Sequence, residues 1–119
     1  MVTIRIRNLR LRTYIGFNEE EMKKRQDVVV NVRFSYKADE AAETDDVKYA
    51  VNYRTITKEI IALVEDGRFM LLERLVADVL ELVMQHEPIS SAEVEVDKPH
   101  ALRFSDSVSA SLRAERSNA

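Results

Sequence analysis

The stretch Val28-Val29-Val30-Asn31-Val32-Arg33-Phe34-Ser35-Tyr36 decides the fold. Val28, Val30, Val32, Phe34 and Tyr36 alternate with Val29, Asn31, Arg33 and Ser35, and a period of two marks a strand with one buried face. Three other stretches supply strands to pair with it. Val2, Ile4 and Ile6 alternate with Thr3, Arg5 and Arg7, after which the apolar phase moves to Leu9 and Leu11, so a bulge is expected near Asn8. Toward the C-terminus, Ala92, Val94 and Val96 alternate with Glu93, Glu95 and Asp97. Val108, Ala110 and Leu112 then alternate with Ser107, Ser109 and Ser111.

Between the strand pairs lie two helical patterns. The first carries Ile56, Ile60, Leu63 and Val64 on one side and begins after Asn52, a good N-cap residue. The second runs from Phe69 through Met84. At 100° per residue, Phe69, Leu72, Val76, Val79, Leu80, Val83 and Met84 share a face. Asp66-Gly67 provides a helix stop and a tight connection, so the two helices are expected to be antiparallel neighbours. The acidic stretch Asp39 to Asp46 reads as a solvated connection with one short helical turn at Ala38 to Glu43. The order ββααββ gives an α+β fold: a four-stranded antiparallel sheet with two antiparallel helices on one face. The other face gathers Arg5, Arg7, Asn31, Arg33, Glu93, Glu95, Ser107, Ser109 and Ser111, and faces either bulk water or a wet channel between subunits.

With 119 residues, 45% of them hydrophobic and 33% charged, the chain suits one globular domain over 1–116, with 117–119 as a C-terminal tail. The sequence has no cysteine, which excludes disulfides, thiolate nucleophiles and Cys-based metal sites. Only two glycines are present, too few for a P-loop or a dinucleotide fingerprint, and the two histidines, His86 and His100, are too far apart in sequence to suggest a zinc site. No apolar run approaches membrane-spanning length, and a net charge of −3 argues against nucleic acid. The expectation is a cytoplasmic protein with no membrane partner.

Glu73 falls on the apolar stripe of the second helix, between Leu80 and Met84 in azimuth. An inward carboxylate needs a partner, either a cation such as Arg68 or Arg74 or a ligand with convergent N–H donors. Lys98-Pro99 ends the third strand, leaving a lysine fixed at a sheet end as a proton donor, a Schiff-base former or an ordinary surface cation. Tyr53, at the start of the first helix, is a proton relay or a packing residue. Taken alone, Glu19-Glu20-Glu21-Met22-Lys23-Lys24-Arg25 is a solvated charged turn.

These residues lie within longer words: Tyr14-Ile15-Gly16 followed by Glu21, Val51-Asn52-Tyr53, Arg68-Phe69 with Leu72-Glu73-Arg74, and Val96-Asp97-Lys98-Pro99-His100-Ala101-Leu102. In order and spacing they resemble the dihydroneopterin aldolase family of tunnelling-fold (T-fold) enzymes over essentially the whole chain. The resemblance implies a subunit that joins its sheet to its neighbours' to make an oligomeric β-barrel, as an octamer of two stacked tetrameric rings. It implies that Glu73 anchors a pterin, with Leu72, Asn52 and Tyr53 also in the binding site and Tyr53 coming from the adjacent chain. It assigns catalysis to Lys98, Tyr53 and Glu21, with Glu20 as the alternative to Glu21. The substrate supplies its own electron sink, so neither metal, cofactor nor Schiff base is required.

Within the family, the words Leu9-Arg10-Leu11-Arg12, Asn52-Tyr53-Arg54-Thr55 and His100-Ala101-Leu102-Arg103 favour the branch that inverts C2' of 7,8-dihydroneopterin triphosphate, a step toward tetrahydromonapterin. The aldolases of folate biosynthesis usually place a small residue after the Lys-Pro pair, and here His100 follows it. Weak aldolase activity, full aldolase function and a non-catalytic pterin- or purine-binding module are the rival readings. Lys23, Lys24, Arg25, Arg54 and Arg103 are the candidates for holding the triphosphate.

Overall fold

A computed structural model describes residues 1–117, so Asn118 and Ala119 of the expected tail lie outside the described residues. The alternating apolar residues lay one continuous sheet over two helices. β1 (Val2–Ile15), β2 (Gln26–Tyr36), β4 (Ile89–Lys98) and β5 (Val108–Glu115) pair antiparallel in the order β1-β2-β4-β5. α3 (Tyr53–Glu65) and α4 (Leu72–Met84) pack against each other, α3 against β1 and α4 against β4 and β5. Val28, Val30, Val32, Phe34, Val94 and Val96 of the sheet are each at most 2% exposed and join Ile56, Ile60, Val64, Leu75, Val76, Val79 and Val83 of the helices in one core. Each such side chain contributes about 1.5–3 kcal/mol by leaving water.

The expected bulge is present. The β1–β2 register shifts between Ile6 and Leu9, Asn8 adopts a left-handed φ of 54°, and its N–H donates to Asn31 Oδ1 at 2.9 Å. One residue is thereby absorbed, so Val2, Ile4 and Ile6 stay on the same face as Leu9 and Leu11. Asn52 caps α3 as expected, its Oδ1 accepting from Arg54 N at 3.0 Å and Thr55 N at 3.3 Å. The short turn in the acidic connection is α2 (Asp39–Thr44), followed by a single 3-10 turn at Val47–Tyr49.

Three expectations change. The sheet has five strands, not four, because Arg68–Phe69 forms a two-residue β3 that pairs parallel with Tyr14 and Ile15 of β1. Phe69 is therefore in a strand, and α4 starts at Leu72; a two-residue strand is too short to show a period. The charged run is not only a turn, since Asn18 accepts from Glu21 N at 2.8 Å and caps α1 (Glu19–Lys23). The polar face is as expected, except that Ser107 precedes β5 and donates to Asp97 at 3.2 Å.

The molecule measures 52 × 25 × 25 Å with a radius of gyration of 15.7 Å. A compact chain of this length has a radius of about 13.5 Å. The long sheet thus extends past the helices that cover it.

Candidate active site

The end of β1 is where the candidate residues collect. Gly16 N donates to Phe69 O at 2.9 Å, continuing the β3 pairing and fixing the start of α4 beside the entry to α1. Gly16 has φ +128°, a conformation that only glycine adopts without strain, and the Glu21 carboxylate lies against it where a Cβ would stand. Lys98, the last residue of β4, reaches the same carboxylate and ion-pairs with it. Both side chains are largely buried, at 15% exposure for Lys98 and 20% for Glu21. Gln26 ties the pair to the sheet: its Nε2 donates to Ile15 O at 2.6 Å and to Glu21 Oε2 at 3.4 Å.

The Lys98 hydrogen bond holds the Glu21 carboxyl below the usual carboxylate range; burial opposes it, and Gln26, the Lys98 charge and the Asn18 backbone act with it. Glu21 is therefore ionised at neutral pH and matched to one ammonium. Glu20 is exposed and makes no ion pair or side-chain hydrogen bond among the described residues, so of the two glutamates it is Glu21 that meets Lys98.

Glu73 is not buried. It is exposed in the first turn of α4, whereas Leu75, Val76, Val79, Leu80 and Val83 are buried. The buried face of α4 is centred on Leu75, Val76, Val79 and Val83, and Glu73 stands at its edge, on the side of the only partly buried Met84. The ion pairs considered for Glu73 are not made either. Arg74 pairs with Asp78 at 3.0 Å, and the Arg68 guanidinium stacks over the Tyr14 ring at 3.9 Å. Leu71, the N-cap residue of α4, provides no side-chain cap, so the helix start carries free N–H groups and a carboxylate with no side-chain partner among the described residues.

β3 brings these features together. Glu73 lies four residues after Phe69, whose carbonyl holds Gly16, and Gly16 touches Glu21. Tyr14, Gly16, Met22, Arg68, Phe69 and Met70 line a cleft of about 230 Å³ beside β3, whose lining does not include Glu21, Tyr53, Glu73 or Lys98. Leu72 is half-buried against the core. Tyr53 is 51% exposed at the start of α3 and makes no side-chain bond to Glu21, Lys98 or Glu73, and Asn52 is occupied as the cap of the same helix.

Among the cation candidates, Arg25 stacks at 5.6 Å over Tyr14 of the cleft. Lys23, Lys24 and Arg54 are exposed, and Arg103 lies on an exposed loop at 5.8 Å from the Phe104 ring. Gly16, Gln26 and the Arg68–Tyr14 stack were not singled out from sequence as parts of the site. The left-handed φ of Gly16 and the hydrogen bonds of Gln26 appear only once β1, β2 and α1 are folded together.

His86, just past the end of α4, bonds Glu59 of α3 at 2.6 Å, and His100 lies 3.8 Å from Asp27. Among the described residues, no group of three or more His, Cys, Asp or Glu side chains is placed to hold a metal ion. No helix is long and apolar enough to cross a membrane.

Comparison with known proteins places this geometry. The profile of the dihydroneopterin aldolase family matches residues 4–113. The chain is 53% identical over 116 residues to a dihydroneopterin triphosphate 2'-epimerase of Pseudomonas aeruginosa, covering 98% of this chain and 94% of that one. It is 55% identical to the enzyme of the same name from Escherichia coli K12, covering 95% and 94%. A dihydroneopterin aldolase of Haemophilus influenzae is 31% identical over 82% of each chain. Among solved structures, Escherichia coli dihydroneopterin aldolase in complex with neopterin superposes with a TM-score of 0.91 at 26% identity, covering 96% of this chain and 99% of that one.

Proposed function

The chain belongs to the dihydroneopterin aldolase family, and from that premise we propose that it inverts C2' of 7,8-dihydroneopterin triphosphate to give 7,8-dihydromonapterin triphosphate. One observation carries the choice within the family. Identity is 53–55% to two epimerases over at least 95% of the chain, against 31% to an aldolase over 82% of it.

The chemistry is a retro-aldol step and its reversal. Removal of the 2'-hydroxyl proton makes C2' a carbonyl as the C1'–C2' bond breaks. The bonding pair forms C1'=C6, and the N5=C6 imine electrons move to N5, which takes up a proton. The triphosphorylated aldehyde turns over and accepts the same carbon on its other face, with the protons returned. Lys98, an ammonium fixed at a strand end by Glu21, supports the role of N5 proton donor, directly or through water. Glu21, held ionised, orients or activates the group that takes the hydroxyl proton.

The exposed carboxylate of Glu73 at a helix start supports its role as anchor. A pterin presents N3–H and the 2-amino group side by side, and a carboxylate accepts both. Tyr53 serves a neighbouring subunit's site in this reading, hydrogen-bonding the side chain as the bond breaks and reforms. The long sheet and the exposed Tyr53, Met70, Leu71 and Leu102 favour a closed homo-oligomeric ring, with an octamer of two stacked tetramers as the proposed form. Arg25, which stacks over Tyr14 of the cleft, is the first choice for the triphosphate, followed by Lys23, Lys24, Arg54 and Arg103. The location proposed is the cytoplasm.

The test is incubation with dihydroneopterin triphosphate and, separately, with dihydroneopterin, followed by chromatographic resolution of neopterin, monapterin and hydroxymethylpterin. Interconversion of the isomers without loss of the side chain is the expected result. Hydroxymethylpterin as the main product would replace this reading with the aldolase.

A further inference from the structure

The outer face of the sheet carries arginines that its ion pairs leave unmatched. Arg5 of β1 stands directly opposite Arg33 of β2, Arg33 opposite Glu93 of β4, and Glu93 opposite Arg113 of β5. One level of the sheet thus holds three guanidinium groups and a single carboxylate. Like charges directly opposite in a ladder repel. Glu93 pairs with Arg33 at 3.2 Å, and Arg113 only approaches Glu115 of its own strand, at 3.9 Å. Among the described residues, no carboxylate reaches ion-pair distance of Arg5 or Arg7.

The same face is hollow. Arg5, Arg7, Arg33, Asn31 and Ser111 line a cleft of about 360 Å³ together with the carboxylates of Glu93, which Arg33 pairs, and Glu95, which accepts from Ser109 Oγ at 3.4 Å, so three guanidinium groups there meet two carboxylates. A second cleft, of about 200 Å³, shares Arg5 and Arg33 and adds Arg113 and the hydroxyls of Thr3 and Ser35, which are 2.8 Å apart. Neither cleft is lined by Glu21, Tyr53, Glu73 or Lys98.

We propose that this face binds a phosphate-bearing anion, gripped by Arg5 and Arg33 and, when it is a polyphosphate, also by Arg7 or Arg113. A guanidinium fork matches two phosphate oxygens, and adjacent strands about 4.8 Å apart bring two forks to one phosphoryl group. A carboxylate offers only two coplanar oxygens, enough for one fork. A tetrahedral phosphoryl group offers three oxygens, enough for both forks when they share one. Binding there supplies the counter-charge that Arg5 lacks, since Glu93 is already shared with Arg33. The site stands apart from the proposed reaction, and its anion is either a free polyphosphate or the triphosphate tail of a pterin.

The test is calorimetric titration of the full chain with inorganic phosphate and inorganic tripolyphosphate at low ionic strength, against sodium acetate at matched ionic strength. Tripolyphosphate is expected to bind more tightly than phosphate, and acetate not at all. Arg5→Gln and Arg113→Gln are each expected to weaken tripolyphosphate about tenfold, the loss of roughly one charge-assisted contact. Arg113 lies on the edge strand, so its variant keeps the test open if Arg5→Gln does not fold, as judged by circular dichroism. Glu73→Gln, outside both clefts, is expected to keep the wild-type affinity. In that variant, competition by dihydroneopterin triphosphate assigns the site to the substrate tail, and no competition assigns it to free polyphosphate; both support the site. No binding by the wild type, or equal binding by wild type and both arginine variants, overturns it. Each of these results is independent of whether the pterin isomers interconvert, so the site and the proposed reaction fail separately.

Discussion

Glu21 and Glu73 are both glutamates in the first turn of a helix, and both helices begin near Gly16, yet their surroundings are opposite. Glu21 is largely buried against Gly16, bonded by Lys98 and Gln26, with its backbone N–H held by Asn18. Glu73 is exposed, with no side-chain partner among the described residues, at a helix start that lacks a side-chain cap. The difference matches the two tasks proposed for these residues. A group that moves protons needs a fixed geometry and a fixed charge state, which partners provide. A group that captures a ligand needs unsatisfied acceptors, which partners would occupy.

The sharpest way to break this contrast is Lys98→Ala. It removes the proposed proton donor and leaves Glu21 without its main partner, so turnover should fall by about 10²–10⁴-fold, read as the rate of isomer interconversion. Turnover within a few-fold of wild type would remove Lys98 from the chemistry.

Glu73→Gln separates capture from stability. Losing a charge-assisted pair of bonds should cost about 1.5–3 kcal/mol of pterin affinity, measured by equilibrium binding of neopterin. Because the side chain is exposed and unpaired, unfolding free energy should stay within about 0.5 kcal/mol of wild type. A large loss of stability with affinity retained would return Glu73 to a structural role.

Gly16→Ala tests the floor under Glu21. The added Cβ strains a positive-φ residue, at about 1–3 kcal/mol, and displaces the carboxylate it meets. Chemical denaturation and activity should both decline. Asn52→Ala should cost about 1 kcal/mol by removing the α3 cap, with KM affected more than kcat if Tyr53 is positioned through that helix start.

The smallest effect is the pH dependence of stability. The folded Glu21 carboxyl lies below its unfolded value, so its contribution is fully present above the usual carboxylate range and is lost as pH falls through the depressed folded value. Acid titrations of wild type and Glu21→Gln should differ only in that window. Curves that stay parallel through the acid range would show the Lys98 pair to be neutral in stability.

The strands, the two long helices, the bulge at Asn8 and the cap at Asn52 were legible in the sequence. Each is written in residues close together along the chain: a period of two, a period of 3.6, a phase slip, and a side chain bonding backbone two or three positions ahead. The family words likewise singled out Glu21, Lys98 and Glu73. What the sequence could not determine was the surroundings of those three. Glu73 shares the apolar stripe in azimuth, but only packing decides where the buried face is centred, and with Leu75 at 0% exposure that centre lies away from Glu73. β3 was invisible because two residues carry no period, yet its pairing with Tyr14 and Ile15 brings the start of α4 to Gly16. The ion pair joins residues 77 positions apart, and that Lys98 meets Glu21 and not Glu20 is decided only where β1, α1 and β4 come together at one end of the sheet. Local pattern fixed the elements, and tertiary contact decided which carboxylate is satisfied and which is left free to bind.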